Sequence, residues 1–242
     1  MNRKLLIPLI LVALAFGMMR INNRVLESQN RPIPINLVQV IQRVEPSVVY
    51  IEAYKDGYKL ATGSGVIISD DGIILTAAHM ISDADEFRIT LQDGRILFSW
   101  ECFCKPEILD AGFIKLNVSE KLPFSYLGNS DNLQKGEDVF VIGCPFGYEL
   151  KFTVTKGIVS SVDRNIDSMD GWSILFQVDA LVWPGNSGGP VYDMRGQIIG
   201  VVVGCRVGYD GISLCVPINE VIKILDLFKA EQVIEEIGNA VN

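Results

Sequence analysis

Groups that bind metal ions are scarce in this sequence. Its 242 residues include one histidine and five cysteines, and no two cysteines stand in a Cys-x-x-Cys pair. Structural zinc sites need four cysteine or histidine ligands at such short spacings. We therefore expect no metal site, and we interpret the cysteines as small buried hydrophobic residues. A disulfide between Cys205 and Cys215, which flank a predicted hairpin, is the alternative if the chain reaches an oxidising compartment.

Basic residues are also few. Lysine and arginine total 21 against 29 aspartate and glutamate residues, so the formal net charge is -8 and the pI is about 4.7. Proteins that bind DNA or RNA carry clustered positive charge that neutralises phosphates. The composition therefore argues against a nucleic-acid partner.

Charged residues are absent from one long stretch near the N-terminus. An apolar run extends from Leu5 to Met19, with Arg3 and Lys4 before it and Arg20 after it. Its length lies between the core of a signal peptide and a full membrane span. We interpret residues 1–20 as a targeting segment that sends the rest of the chain out of the cytoplasm.

The sequence leaves open whether this segment is removed. Ala13-Leu14-Ala15 offers a small-x-small site for a signal peptidase. We favour a retained membrane anchor, because the apolar run continues through Phe16 and two methionines beyond that site. The basic residues before the run would then stay in the cytoplasm. Residues 21–34 are polar and contain prolines, which predicts a linker to the folded part.

The rest of the chain, residues 35–242, is typical of an all-β fold. Segments rich in β-branched residues alternate with glycine-containing turns, which predicts barrels or a sandwich. Helical spacing predicts a short helix at residues 35–43 and an interrupted amphipathic helix from Asn219 to Ile237. The predicted strands are Ser47–Tyr54, Ser64–Ser69, Ile73–Thr76, Phe87–Leu91, Ile96–Glu101, Ala111–Leu116, Asp138–Gly143, Phe152–Val162, Ser173–Val178, Pro190–Tyr192, Ile198–Cys205 and Ser213–Pro217.

The strongest chemical signal is the segment Pro184-Gly185-Asn186-Ser187-Gly188-Gly189-Pro190. A serine between glycines can sit on a tight turn with its hydroxyl exposed, while the N–H groups of Gly185 and Ser187 point into one small concavity. Such donors form an oxyanion hole, in which removal of one donor costs roughly 3 to 4 kcal/mol of transition-state stabilisation. By itself the motif is equally compatible with an ordinary glycine turn between two strands.

A serine hydroxyl becomes a nucleophile only when a neighbouring base takes its proton. His79 is the one histidine in the chain, and it follows the apolar strand that ends at Thr76. A carboxylate must then hold the other ring nitrogen of that histidine. Asp110 stands directly before an apolar strand and is the candidate for this role. The sequence also leaves three rival acids open: Asp131, Asp163 and Asp179.

Taken together, these segments resemble the HtrA-type (Deg-type) peptidases of the chymotrypsin superfamily. The motifs occur in the order and approximate spacing of that family across residues 36–228. Each motif is modestly specific, whereas the ordered set is highly specific. The matching motifs are Gly63-Ser64-Gly65-Val66-Ile67-Ile68, Thr76-Ala77-Ala78-His79, Asp110-Ala111-Gly112-Phe113-Ile114-Lys115, Leu127-Gly128-Asn129-Ser130, Gly143-Cys144-Pro145-Phe146-Gly147, Thr155-Lys156-Gly157-Ile158-Val159-Ser160, Gly185-Asn186-Ser187-Gly188-Gly189-Pro190 and Val216-Pro217-Ile218-Asn219.

The resemblance implies a fold and a mechanism. The fold is a pair of perpendicular six-stranded β-barrels, at about residues 35–125 and 126–228, followed by a C-terminal helix. Between the barrels a triad would hydrolyse peptide bonds through an acyl-enzyme, without a metal or an organic cofactor. By the same resemblance, the triad is His79, Asp110 and Ser187, and the oxyanion hole is formed by Gly185 and Ser187 with help from the Asn186 amide.

The resemblance also bears on partners and regulation. It implies unfolded or extended polypeptide substrates and a role in envelope quality control or regulated proteolysis. Digestive relatives have an aspartate where Asn186 stands, so we expect no activation by zymogen cleavage. The PDZ domain that commonly follows such peptidases is not expected. Trimers are frequent in the family, but no residue of this sequence demands one, so the sequence leaves the oligomeric state open.

Substrate preference is only faintly marked. By resemblance, Leu181 lies at the base of the primary specificity pocket, and Ile199–Gly204 supplies a wall of it, with Val203 and Gly204 as the named pocket residues. None of these residues is charged. We therefore expect cleavage after aliphatic residues such as valine, leucine or alanine.

Two other functions are compatible with parts of the sequence. A surface-tethered module of the same fold could hold extended peptides by strand addition without cutting them. The presence of both His79 and Ser187 favours the enzyme. An esterase of the α/β-hydrolase type needs the order serine, acid, histidine, which this sequence does not have.

Overall fold

The structure, a computed structural model, describes residues 36–168, 171–205 and 210–241. The targeting segment expected at residues 1–20 and the linker expected at 21–34 lie outside the described residues. Within the described ranges, no helix is both long enough and apolar enough to cross a membrane.

Seven antiparallel strands form the first sheet, in the spatial order β5-β4-β1-β2-β3-β7-β6. Alternate side chains of these strands, such as Val49, Ile51 and Ala53 on the first, face a common core. The strands are β1 (Val48–Lys55), β2 (Tyr58–Ile67), β3 (Ile73–Thr76), β4 (Glu86–Thr90), β5 (Ile96–Ser99), β6 (Glu101–Cys104) and β7 (Gly112–Lys115).

The second sheet closes into a barrel in the order β10-β13-β12-β11-β8-β9. Its longest strand has 16 residues and pairs on one side with β8 and on the other with β10. The strands are β8 (Asp138–Gly143), β9 (Thr153–Ser168), β10 (Gly171–Val178), β11 (Pro190–Asp193), β12 (Ile198–Cys205) and β13 (Ser213–Pro217). The predicted all-β, two-barrel class is confirmed, with seven strands rather than six in the first sheet.

Two α-helices pack on this framework. Helix α1 (Leu37–Val44) buries Val40 and Val44, which lie against the Gly196 turn of the second barrel. Helix α2 (Ile218–Val241) follows the second barrel without the predicted interruption. It returns to the first sheet, where Phe228 lies 5.2 Å from Phe103 and 5.7 Å from Phe113, measured between ring centroids. Short 3-10 helices occupy Glu45–Ser47, Ala78–Met80, Ser130–Asn132 and Tyr148–Leu150.

All five cysteines are free thiols, so the alternative of a Cys205–Cys215 disulfide is not realised. Register explains this, because Cys215 pairs with Val202 whereas Cys205 pairs with Ser213. Two of the five are buried, namely Cys144 and Cys215, and burial raises the pKa of the Cys144 thiol to about 11. The expectation of buried thiols therefore holds for these two and is wrong for Cys102, which is exposed.

A chain of three buried hydroxyls joins the two sheets. Ser47, just before β1, lies 2.7 Å from Ser125 in the connection between the sheets, measured between the Oγ atoms. Ser125 Oγ lies 3.0 Å from the Tyr192 hydroxyl on β11. Burial raises the pKa of Tyr192 to about 12, so this phenol stays neutral. A buried hydroxyl contributes to stability only while it is hydrogen-bonded, which makes this chain a specific link between the sheets.

We expect Tyr192→Phe to lower the free energy of unfolding by about 1 kcal/mol, because it removes one buried hydrogen bond and keeps the ring. The ring itself stacks on Phe140 at 5.1 Å and should stay in place. Urea denaturation of the full chain measures the difference. The matched control is Tyr58→Phe, since Tyr58 is 77% exposed and its hydroxyl should contribute almost nothing. Equal stability of Tyr192→Phe and wild type would contradict the stabilising link.

Candidate active site

His79 and Asp110 meet at one edge of the first sheet. Strand β3 ends at Thr76 and β7 begins at Gly112, and these two residues are cross-strand partners. The chain segments beyond this pair therefore lie side by side. His79 sits in the 3-10 helix that follows β3, and Asp110 comes two residues before β7.

The Asp110 carboxylate grips both the backbone and the ring of His79. Its Oδ1 accepts a hydrogen bond from the His79 N–H at 2.9 Å, and its Oδ2 lies 2.7 Å from His79 Nδ1. An ionised carboxylate is an acceptor only, so in the neutral ring the proton resides on Nδ1. The Nε2 atom is then left as the basic nitrogen.

The rival acids lie elsewhere. Asp179 accepts a hydrogen bond from the Ile158 N–H at 2.6 Å, on the second barrel. Asp131 belongs to the 3-10 helix that is capped by Asn129, and Asp163 lies within β9. Among the described residues, Asp110 is the acid that is hydrogen-bonded to His79.

The turn that carries Ser187 comes from the second barrel and is seated directly on the first sheet. The Ser187 carbonyl accepts a hydrogen bond from the Ser64 N–H at 2.8 Å. Gly188 has φ +82°, and a Cβ there would lie 2.1 Å from Thr76 Oγ1 and 2.9 Å from the Ala77 nitrogen. Only glycine fits so close a contact. Ser187, which precedes Gly188, is therefore placed beside the segment that leads into His79.

The hydrogen bond between His79 and the Ser187 hydroxyl is not formed among the described residues. In proteins without substrate, such contacts are often long and tighten only in the reacting complex. The structure therefore brings the two segments together and leaves this last contact open.

Two backbone hydrogen bonds fix the conformation of the turn at residues 183–186. The Pro184 carbonyl accepts a hydrogen bond from the Phe146 N–H at 2.8 Å, and the Asn186 N–H donates to the Trp183 carbonyl at 2.9 Å. Gly185 has φ +100°, as the third residue of a type II turn requires. In a trans peptide the N–H points opposite to the carbonyl. The Gly185 N–H therefore points away from Phe146, and neither it nor the Ser187 N–H donates a hydrogen bond within the described residues.

Phe146, whose N–H is bonded to the Pro184 carbonyl, has an unusual backbone conformation. Phe146 has φ +57° although it is not a glycine, and its side chain is 66% exposed. It is the third residue of a turn that is closed by the hydrogen bond from the Gly147 N–H to the Cys144 carbonyl, at 3.2 Å. The Phe146 ring lies 6.4 Å from that of Trp183, measured between centroids.

The Asn186 side chain is directed into the protein. Asn186 is 2% exposed, and its Oδ1 has no hydrogen-bond partner among the described residues. This oxygen lies against Gly143, where an added Cβ would approach it to 2.4 Å. A neutral amide tolerates this position better than a carboxylate would, since a buried charge without a partner is far more costly.

A cavity of about 220 Å³ opens beside Ser187. Its walls are uncharged and consist of Val182, Trp183, Pro184, Val202, Gly204 and Cys205 together with Ser187. Two residues of the predicted wall line it, Val202 and Gly204. Leu181 and Val203 do not, and Val203 is the extra residue at a β-bulge between Val202 and Gly204. Sequence reasoning missed Val182, Trp183, Pro184 and Cys205.

Comparisons with known proteins match this architecture. Residues 63–201 match the family described as the trypsin-like peptidase domain. A probable periplasmic serine endoprotease DegP-like from Chlamydia trachomatis is 39% identical over 167 residues, which cover 68% of this chain and 33% of that protein. The serine protease HTRA1A of Danio rerio is 34% identical over 200 residues, covering 78% of this chain and 40% of that protein.

Solved structures give the same result. The HtrA-type protease AlgW with tripeptide is 30% identical and superposes with a TM-score of 0.72, over 79% of this chain and 62% of that one. The serine endoprotease from Yersinia pestis is 29% identical, with a TM-score of 0.66 over 81% of this chain and 67% of that one. The chain spans only about a third of the length of the first curated relatives it matches. From the family match, the sequence identities and the shared fold, the chain belongs to the trypsin-like peptidases and is homologous to the HtrA and DegP-like serine proteases.

Proposed function

We propose that this protein is a serine endopeptidase that cleaves peptide bonds through an acyl-enzyme, with His79, Asp110 and Ser187 as its triad. The observation that carries the proposal is the paired hydrogen bonding of Asp110 to His79, next to a glycine-seated turn that bears Ser187. Family membership supports the same activity.

The geometry supports a defined role for each group. His79 Nε2 takes the proton of the Ser187 hydroxyl as that oxygen attacks the scissile carbonyl, and later returns it to the leaving amine. Asp110 holds the ring in the tautomer that leaves Nε2 free and stabilises the imidazolium that forms. The N–H groups of Gly185 and Ser187 donate hydrogen bonds to the carbonyl oxygen and stabilise the negative charge that develops on it. Water then attacks the acyl-enzyme: His79 Nε2 takes a proton from the water and returns it to the Ser187 oxygen as the acyl group leaves.

The Asn186 amide contributes to the oxyanion hole through its position in the turn rather than through its side chain. Its Oδ1 is buried against Gly143, and its backbone N–H is bonded to the Trp183 carbonyl. The backbone hydrogen bond stabilises the turn that orients Gly185, whereas the unpaired Oδ1 does not.

The substrates we propose are extended or unfolded polypeptides. The cavity beside Ser187 is smaller than the roughly 300 Å³ at which sites for drug-sized ligands begin, which suits one side chain of a longer chain. Relatives named periplasmic support a location outside the cytoplasm, and the apolar run at Leu5–Met19 supports anchoring to the membrane. In that location, we propose protein quality control or regulated proteolysis.

A second candidate function is a latent module of the same fold that holds peptides without cutting them. The open contact between His79 and Ser187 is compatible with it. The pinned orientation of the Gly185 N–H favours the active enzyme, since a latent site has no need of a preformed oxyanion donor. Labelling of the nucleophile distinguishes the two functions.

The first test is Ser187→Ala in the full chain. We expect hydrolysis of unfolded protein and labelling by a fluorophosphonate probe to fall below detection, because the hydroxyl is the group that forms the covalent bond. The melting temperature should stay within the error of the wild type. The control Ser119→Ala changes an exposed serine and should label normally. Equal labelling of wild type and Ser187→Ala would refute the nucleophile assignment.

The second test separates the acids. Asp110→Asn keeps the shape of the side chain but favours the wrong tautomer of His79, and we expect kcat on a peptide substrate to fall by about 10,000-fold. Asp131→Asn makes the same chemical change away from His79 and should retain the wild-type rate within about twofold. A near-normal rate for Asp110→Asn would move the orienting role to another acid.

The third test concerns the pocket. We expect the wild type to cleave after valine, leucine or alanine, because the cavity walls carry no charge. Gly204 has no positive φ, and a Cβ added there would meet nothing within 4 Å. Gly204→Val should therefore be tolerated and should lower kcat/KM for leucine relative to alanine by about 10-fold or more, the usual effect of small volume changes in such pockets. A peptide-library profile dominated by arginine or lysine would contradict this pocket assignment.

A further inference from the structure

One buried hydroxyl of the first sheet touches the turn that carries the oxyanion donors. Ser64 lies on β2 and is fully buried. Its Oγ donates a hydrogen bond to the Gly185 carbonyl at 2.7 Å and accepts one from the Cys144 N–H at 2.8 Å. This single hydroxyl therefore connects β2 to two loops of the second barrel.

We propose that Ser64 is a positioning residue that sets the oxyanion hole, by fixing the orientation of the Gly185 N–H through these two hydrogen bonds. The proposal rests on the proposed function, because it concerns the same site. Ser64 itself touches neither substrate nor the reacting atoms in this scheme.

The first step concerns the peptide plane between Gly185 and Asn186. Its carbonyl accepts from the Ser64 hydroxyl, and its N–H donates to the Trp183 carbonyl at 2.9 Å. With both ends bonded, the plane cannot rotate without breaking a buried hydrogen bond. Gly185 tolerates a wide range of backbone angles, so it depends on such contacts for a single orientation.

The second step concerns the plane between Pro184 and Gly185, which carries the donor N–H. Its carbonyl is held by the Phe146 N–H at 2.8 Å. Phe146 belongs to the turn that starts at Cys144, and Ser64 Oγ holds the N–H of that residue. Ser64 thus acts on one plane directly and on the other through the Cys144–Gly147 turn.

The backbone of Ser64 links the same groups to the rest of the triad. Its N–H donates to the Ser187 carbonyl at 2.8 Å, and its carbonyl accepts from the Thr76 hydroxyl at 2.8 Å, three residues before His79. The hydroxyl therefore projects from a segment that is already fixed relative to nucleophile and base.

The space around the hydroxyl admits little else. A Cβ at Gly143 would lie 3.2 Å from Ser64 Oγ, and one at Gly189 would lie 3.3 Å from Ser64 Cβ. A larger side chain at position 64 would push against backbone. The informative variants are therefore Ser64→Ala, which removes the hydroxyl, and Ser64→Cys, which replaces it with a weaker donor and acceptor of similar shape.

The experiment compares kinetics of the full chain with its affinity for a peptide aldehyde, whose hemiacetal oxyanion would occupy the hole. For Ser64→Ala we expect kcat to fall by about 10- to 100-fold, less than the loss of an oxyanion donor itself. KM should stay within about twofold, and the aldehyde Ki should rise by the same factor as kcat falls. Ser64→Cys should lie between Ala and wild type in both measurements.

The matched control is Ser47→Ala. Ser47 is 1% exposed and hydrogen-bonded at Oγ. Its partners are Val44, Ser125 and Tyr192, none of which belongs to the turn at residues 183–186. It should lose a similar amount of stability in urea denaturation while kcat and Ki stay at wild-type values. A purely structural role for Ser64 would make the two alanine variants alike.

The outcomes separate two kinds of failure. If the wild type turns over substrate and Ser64→Ala matches it in kcat and Ki, the positioning role is wrong while the proposed function stands. Equal losses of kcat in Ser64→Ala and Ser47→Ala also overturn it. If Ser64→Ala does not fold, the folded Ser64→Cys variant decides by whether kcat and Ki change together. A wild type without hydrolysis or fluorophosphonate labelling overturns both proposals.

Discussion

The whole site depends on a contact between two backbones that leaves no room for a side chain. Gly188, from the second barrel, would place a Cβ 2.1 Å from Thr76 Oγ1 and 2.2 Å from the Ser64 carbonyl oxygen. His79 and Asp110 come from the first sheet, whereas Ser187 and Gly185 come from the second. The turn that bears Ser187 can lie against the segment leading to His79 because glycine at position 188 lets the two backbones approach this closely. The buried hydroxyls of Ser47, Ser125 and Tyr192 reinforce the same junction from inside.

The meeting of His79 and Asp110 could be anticipated because local signals determine it. Each residue lies just beyond the end of a short apolar segment, and antiparallel pairing of β3 with β7 places those ends together. Other elements could not be bounded in this way. The first residues of β2, Tyr58–Ala61, are largely exposed and are held by pairing with β1. The hairpin turn before them is formed by Asp56 and Gly57, with φ +50° and +77°. An Asp-Gly pair favours such a turn, so this pair is the one sequence signal for where β2 begins.

The pocket was harder to predict, because its walls depend on register. A bulge in β12 makes Val203 the extra residue, and Val202, Gly204 and Cys205 line the cavity instead. One additional residue in a strand changes which side chains face a given direction, and no composition pattern marks where it falls. The prediction of an interruption in the last helix was wrong because it also ignored tertiary contacts. Packing of Phe228 on Phe103 and Phe113 holds α2 against the first sheet, which is tertiary information.

The left-handed backbone of Phe146 affects how firmly the turn at residues 183–186 is held. A residue with a side chain in this conformation carries about 1 to 2 kcal/mol of unfavourable energy. The N–H that holds the Pro184 carbonyl is therefore supplied by a residue in an unfavourable backbone conformation. The conformation persists because the Gly147 N–H is bonded to the Cys144 carbonyl and the Phe146 N–H to the Pro184 carbonyl, so the geometry of residues 183–186 depends on both hydrogen bonds.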